Sequence, residues 1–251
     1  LDQSLSKCGA MKIAVGIATK GRPTILNELL KQLSEQTEPA AGILICPADE
    51  RSADVECLAR YADGVKLVGM AQGLAAQRNK IIESAGAYDV LVFFDDDFFP
   101  DRMFLKHVRE LFGSQPEVVV ATGVLIADGI NGPGFQPDEA RDILRTHGGQ
   151  TTNTIVKEYG AYGCNMVVRL APVRSHDLRF DEALPLYGWQ EDIDFSRQLA
   201  CFGEVVRSSA LSGVHLGVKG GRTTGLKFGY SQVANPIYLT RKGTLSKSYA
   251  I

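Results

Sequence analysis

Asp95-Asp96-Asp97 is a run of adjacent carboxylates directly after the apolar segment Asp89 to Phe94. Like charges a few ångströms apart repel and raise one another's proton affinity, so the run requires positive charge nearby. Hard oxygen ligands with water completing the shell describe Mg²⁺ or Mn²⁺, which binds through one or two carboxylates together with substrate phosphates. Along an extended segment Asp95 and Asp97 point to one side and Asp96 to the other, so the three do not share one ion. A solvated acidic turn capping a helix that begins near Asp101 explains the same residues. A second acidic group is Gly188-Trp189-Gln190-Glu191-Asp192-Ile193-Asp194-Phe195, where three acids follow the chain's one tryptophan at the start of a helix. An aromatic face beside a carboxylate suits a sugar ring, with its apolar C–H faces and polar hydroxyl edges. Acids in a first helical turn also satisfy the helix dipole, and Trp189 fits a core position equally well. Arg197 lies three residues beyond Asp194, a spacing that pairs the two on a helix surface and leaves Glu191 and Asp192 for chemistry.

Weaker signals surround these. Gly73 to Asn79 opens a helix with small residues and places Arg78 in its first turns, where a guanidinium can donate two hydrogen bonds to a phosphate or a base carbonyl. A surface arginine at a helix start accounts for it as well. His215 closes a short apolar strand before the Gly-rich, basic stretch Lys219-Gly220-Gly221-Arg222. Such glycines let a lid fold over a ligand, and its cations neutralise a diphosphate; a solvated turn has the same composition.

These residues need a frame, and the first half of the chain supplies one. Lys12 to Ala18 is a continuous apolar run suited to a strand covered on both faces, broken by Thr19-Lys20-Gly21-Arg22-Pro23. Pro23 starts a helix through about Ser34 with Ile25, Leu26, Leu29, Leu30 and Leu33 on one face. Strands at Gly42 to Cys46, Val65 to Val68 and Asp89 to Phe94 alternate with helices near Ala53 to Tyr61 and at Leu74 to Ser84. This alternation implies an α/β fold with a mostly parallel, Rossmann-like sheet flanked by helices, in which ligands bind beyond the carboxyl ends of the strands. That rule selects the loops at Thr19 to Arg22, Pro47 to Ser52, Gly69 to Gly73 and Asp95 to Pro100. The second half is less regular: a strand at Val118 to Ile126, an aperiodic excursion Asp128 to Gln150 over the site, and one or two strands within Val156 to Leu170. A helix at Glu191 to Phe202, short strands near Val205 to Arg207 and Gly213 to Leu216, and a helix around Tyr230 to Arg241 follow.

At 251 residues, with 45% hydrophobic and 22% charged, the composition is that of a globular protein with a sizeable core and excludes disorder and collagen-like architectures. A formal net charge of -2 offers no general attraction to a nucleic-acid backbone, so an anionic ligand must be held by a local site. No apolar run approaches the roughly 18 residues of a membrane span, and the opening stretch lacks a signal-like apolar core, which makes a cytoplasmic location the expectation. The five cysteines are scattered without a CxxC pair, as suits reduced packing residues.

Taken in order, Ala18 to Pro23, Gly73 to Asn79, Asp95-Asp96-Asp97, Gly188 to Phe195 and His215 resemble the family 2 glycosyltransferases, and they span Met11 to about Gly225. The resemblance implies a GT-A fold carrying an acceptor-side extension, as a single domain over 1–251 with a nucleotide-sugar half at 11–126, an acceptor and catalytic half at 127–225 and a C-terminal helical segment at 226–251. It implies that Thr19, Asp49 and Arg78 line the nucleotide pocket, that Asp95 and Asp96 face the nucleoside, and that Arg22, Trp189 and Arg222 join the donor-binding set. Asp97 and His215 would hold Mn²⁺ or Mg²⁺, and Asp192, with Glu191 beside it, would be the base of an inverting displacement. The implied partners are a nucleoside-diphosphate sugar donor and a glycan or lipid-linked sugar acceptor, no nucleic acid, and a peripheral contact with the inner face of a membrane through Tyr230 to Ile251. The chain departs from the family pattern at Cys46 to Ser52, where an acidic Gly- and Ser-containing turn is common. Two other classes fit parts of the sequence. A haloacid-dehalogenase-type phosphatase also places acids after an apolar strand, but Phe98 and Phe99 stand where its motif needs x-Thr or x-Val. A non-catalytic sugar- or nucleotide-binding module would keep the pocket and not need Asp192.

Overall fold

A computed structural model describes residues 10–61, 64–147, 153–184, 188–220 and 225–250. Strands β1 (Ile13–Thr19), β2 (Gly42–Pro47), β3 (Val65–Leu67) and β4 (Val90–Asp95) pair in parallel in the order β3-β2-β1-β4. Their near-continuous apolar sequences follow from burial on both faces. Alternate residues of β1 and β4 serve different cores. Ile13, Val15, Ile17, Val90, Val92 and Phe94 join one with α1 (Pro23–Ser34) and α4 (Phe104–Ser114). Ala14, Leu91 and Phe93 join the other with Ile81 and Ile82 of α3 (Leu74–Ser84). Gly16 is where α3 comes closest: a Cβ there would lie 2.6 Å from Cγ2 of Ile81.

Beyond β4 the parallel expectation gives way to a mixed pattern. β8 (Asn165–Arg169) runs antiparallel to both β4 and β6 (Val118–Asp128), while β9 (Glu204–His215) is parallel to β6. The short β5 (Phe98–Pro100) and β7 (Ile155–Lys157) pair antiparallel with β9. The two short strands expected at 205–207 and 213–216 are thus one long strand, whose polar middle, Ser208 to Ser212, hides its continuity. The excursion after Asp128 is not aperiodic throughout, for it holds α5 (Pro137–His147). Its signals were proline at the first position, Asp138 and Glu139 in the first turn and Arg145 in the last, with Ala140 and Leu144 turned inward. Helices α2 (Val55–Leu58), α6 (Leu170–Ser175), α7 (Glu191–Leu199) and α8 (Gly225–Lys242) complete the described α-helices.

The carboxyl ends of β1 and β4 lie side by side, with Ala18 opposite Asp95. Gln77 of α3 ties this edge together by donating to the carbonyls of Thr19 (2.9 Å) and Cys46 (2.7 Å). Cys46, Cys57, Cys164 and Cys201 are free thiols, and Cys8 lies outside the described residues. No helix among the described residues is long and apolar enough to cross a membrane.

Candidate active site

A cavity of about 470 Å³ opens at this edge, lined among others by Thr19, Arg22, Asp95, Asp97, Trp189, Asp192 and His215. The acidic run follows the alternation expected of it. Asp96 turns inward, fully buried, to accept from the Thr19 hydroxyl at 2.6 Å and pair with Arg22 at 2.6 Å. Burial pushes its carboxyl up to about 7, against the opposing charge of Arg22. Asp95 and Asp97 turn the other way, and one ligand atom from each of Asp95, Asp97 and His215 lies within 4.8 Å of the others.

The details of this trio suit a cation. Oδ2 of Asp97 accepts from Arg22 at 3.0 Å and from the Val218 amide at 2.9 Å, while its Oδ1 stands 3.5 Å from Nε2 of His215. Nδ1 of His215 lies 2.8 Å from Oδ1 of Asp128. A hydrogen donated from Nδ1 to that carboxylate leaves the Nε2 lone pair facing Asp97, the arrangement that metal-binding histidines use. Two carboxylates with one imidazole match Mn²⁺ well and Mg²⁺ acceptably. Without a cation, burial would lower the imidazole's pKa, but the hydrogen bond and charge of Asp97 prevail and raise it to about 9. Burial raises Asp97 in turn, and His215 and Arg22 more than offset this and hold it below its ordinary value.

Asp192 stands at the start of α7, reached through Gly188 (φ 69°) and Gln190 (φ 68°). The left-handed conformation is uncommon for a residue with a side chain, and here it aims the first turn into the cavity. Oδ2 of Asp192 accepts from the Gly163 amide and Oδ1 from the Ile193 amide, each at 2.8 Å. The carbonyl of Gly163 accepts from Arg78 at 2.8 Å, and a Cβ on Gly163 would come within 3.0 Å of both Arg78 and Asp192. The tight fit favours glycine there, since a side chain would make Arg78 and Asp192 give way.

Several expectations are corrected. Glu191 is not left for chemistry: it is buried and accepts from Arg78 at 2.6 Å. Arg78 lines the cavity as expected, but its fork is engaged within the protein: it is 2% exposed, bonds Glu191, Gly163 and Asp95 (3.2 Å), and lies 5.6 and 5.3 Å from the ring centroids of Phe93 and Phe180. A helix start rich in small residues lets this side chain pass under the site as a strut. Burial raises the proton affinity of both Glu191 and Asp192, and Arg78 opposes it. Asp194 does not pair with Arg197. It is buried and holds Lys242 at 2.8 Å, Thr244 at 2.5 Å and Gln198 at 2.9 Å, because the C-terminal segment packs against α7 and displaces the intrahelical partner. Asp96, fully buried, does not line the cavity. Neither does Asp49, whose carboxylate accepts from the Ser52 hydroxyl (2.8 Å), and Ser52 in turn accepts from the Gly21 amide (3.0 Å). Arg222 lies outside the described residues.

Thr19, Arg22, Arg78, Asp95, Asp97, Trp189, Glu191, Asp192 and His215 do meet in the cavity. Tyr162 and Gly163 in its lining belong to Tyr159 to Asn165, a segment that the sequence placed on the acceptor side without singling out either residue, while Lys20 and Tyr249 in the lining and Asp128 behind His215 were not named as site residues. Asp128 carried a legible signal, since it ends an apolar strand as His215 does; their pairing depends on the β6–β9 register.

The family described as Glycosyl transferase family 2 matches residues 14–175. No curated protein sequence matches the chain significantly. Among solved structures, S. aureus TarS is similar at 17% identity and TM-score 0.62, covering 90% of this chain, which spans 39% of that one. The mannosyltransferase PcManGT from Pyrobaculum calidifontis, in complex with GDP-Man and Mn²⁺, is similar at 14% identity and TM-score 0.62, with 93% and 73% of the two chains covered. GalNAc-T7 with UDP, GalNAc and Mn²⁺ is similar at 14% identity and TM-score 0.64, over 96% and 53%. The shared fold is the GT-A fold, a central sheet flanked by helices. Its match to more than half of the residues, on a fold these structures share, means that the chain belongs to glycosyl transferase family 2.

Proposed function

We propose that the cavity binds a nucleoside-diphosphate sugar with Mn²⁺ or Mg²⁺ and transfers the sugar, with inversion, to an acceptor hydroxyl. The observation that carries this reading is the convergence of Asp95, Asp97 and His215 in the cavity that also holds Asp192. The cation, when bound, supplies positive charge to the departing diphosphate. Lys20, exposed at the cavity, adds a second positive group there. Arg22 orients Asp97 through one oxygen and keeps the other turned toward His215. Thr19 and Arg22 hold the first loop against Asp96, so the donor meets a preformed floor.

Asp192 takes the proton of the acceptor hydroxyl as its oxygen attacks the anomeric carbon. The amides of Gly163 and Ile193 fix its two oxygens, and Glu191, engaged by Arg78, leaves this role to Asp192. One displacement on one carbon inverts its configuration. The similar structures in complex with GDP-Man and with UDP support a nucleoside diphosphate as donor anchor. The cavity's volume is within the usual range for small-ligand sites. A phosphatase reading is disfavoured by Phe98 and Phe99, which are buried in β5. A glycan or lipid-linked sugar is the acceptor in this reading, with a role in polysaccharide or glycoconjugate synthesis. Peripheral membrane contact is supported by Leu226, Tyr230, Val233 and Ile237, which recur at helical spacing on α8 and are at least half exposed.

The test is a panel of nucleotide sugars incubated with the protein and Mn²⁺, reading nucleoside diphosphate release and the anomeric configuration of the product by NMR. Release from at least one donor with an inverted product is expected. No release from any donor, or retained configuration, would overturn the reading.

A further inference from the structure

Tyr249 reaches the cavity from the far end of the described chain and is 44% exposed. Its ring stacks on Tyr159, with centroids 4.1 Å apart and planes 16° from parallel. The guanidinium carbon of Arg197 lies 4.5 Å from the Tyr159 centroid, and Arg197 also donates to the Tyr159 carbonyl at 3.3 Å. The ring's quadrupole attracts a cation held over its face, so the three planar groups stiffen one another. The segment bearing Tyr249 is fastened besides. Asp194 of α7 holds Lys242 and Thr244, the Ser246 amide donates to the Tyr159 hydroxyl at 2.7 Å, and Leu245 is buried with Leu184 and Leu239. Two of the anchors, Asp194 and Arg197, are on α7, the helix that begins with Glu191 and Asp192, so the ring is held at a fixed position relative to the base. Burial raises the Tyr249 phenol, and the charge of Asp192 adds to the rise, as befits neighbours in one cavity.

An aromatic face held rigidly at the wall of a polar cavity offers apolar contact to a flat, partly apolar group. A pyranose presents such a surface through its axial C–H bonds while leaving its hydroxyls free to reach a carboxylate. The described cations of the cavity, Lys20, Arg22 and Arg78, come from the β1 loop and α3, not from α7 or the C-terminal segment. We infer that Tyr249, backed by Tyr159 and Arg197, is the platform on which the ring of the acceptor sits, so that the acceptor hydroxyl attacked at Asp192 belongs to a sugar. The inference rests on the transferase reading above and names the residue that seats its sugar acceptor.

Saturation-transfer NMR tests it with the whole chain, Mn²⁺ and a nucleoside diphosphate bound, using methyl pyranosides of common hexoses as probes. Wild type is expected to saturate the C–H protons of one pyranoside face. Tyr249→Ala should weaken pyranoside binding roughly fivefold to tenfold while nucleoside diphosphate affinity changes less than about twofold, and Tyr249→Phe, which keeps the ring, should recover most of the loss. Circular dichroism and thermal melting verify that each variant is folded. A wild type that binds nucleoside diphosphate but no pyranoside overturns the inference, and so does a Tyr249→Ala variant with wild-type pyranoside affinity. A wild type that binds no nucleoside diphosphate overturns the transferase reading itself, which the titration reveals before any pyranoside is added.

Discussion

Oδ1 of Asp128 stands 2.8 Å from Nδ1 of His215, the two residues facing one another at the last register pair of parallel strands β6 and β9. A carboxylate at Nδ1 leaves Nε2 as the lone-pair nitrogen, and Nε2 is the atom turned toward Asp97. Asp128→Ala should therefore weaken Mn²⁺ binding by roughly 10- to 100-fold, read by electron paramagnetic resonance titration. Above about pH 9, where the imidazole is neutral, nitrogen chemical shifts of His215 should move from the Nδ1–H toward the Nε2–H form. Unchanged Mn²⁺ affinity would remove Asp128 from this role.

Metal affinity should also depend steeply on pH. In the cation-free protein His215 holds its proton up to about pH 9, because Asp97 outweighs the effect of burial. Binding at Nε2 must expel that proton, so below about pH 9 the Mn²⁺ affinity rises roughly tenfold per pH unit. The same titration repeated across pH measures the slope, and a flat profile would show that His215 does not ligate.

Asp192→Asn should lower transfer by about 100-fold to 10,000-fold while leaving nucleoside diphosphate affinity nearly unchanged, because the amide cannot accept the acceptor's proton but keeps the shape of the carboxylate. Burial raises the proton affinity of Asp192, so kcat should fall on acidification at a pH above the ordinary carboxylate range. Steady-state rates across pH and nucleoside diphosphate titration of the variant check both; normal turnover would assign the base elsewhere.

Arg22 compensates a fully buried carboxylate. Arg22→Met leaves Asp96 without its ion-pair partner and should cost about 3 kcal/mol of unfolding free energy at pH 8. With Arg22 present Asp96 is pushed up to about 7, and losing that opposing charge pushes it higher, so above about pH 7 the variant's folded state keeps a proton that the wild type has released. The cost should shrink as pH falls to about 5.5. Urea unfolding at the two pH values gives the difference, and an equal cost at both would contradict the assignment.

The parallel half of the fold was legible because burial on both faces forces apolar runs on β1, β2 and β4, and α1 and α3 carry plain start signals in Pro23 and Gly73. The second half was not, because β8 pairs antiparallel with strands distant in sequence and β9 carries a polar middle. In the site, alternation correctly separated Asp95 and Asp97 from Asp96. What spacing could not show was competition among partners. Arg78 and Glu191, 113 residues apart, take each other, and Asp194 takes Lys242 from a segment 48 residues away instead of Arg197 three residues on. Such choices depend on which helix ends the tertiary fold brings together, and local sequence does not record them.

The cation site can be observed directly. A crystal of the protein grown with Mn²⁺ and a nucleoside diphosphate, measured at a wavelength near the manganese edge, should show one anomalous peak within about 2.0 to 2.4 Å of Oδ1 of Asp97 and Nε2 of His215, with the diphosphate on its open side. A peak elsewhere, or a diphosphate bound in the cavity with no anomalous signal at these two atoms, would contradict the proposed cation site.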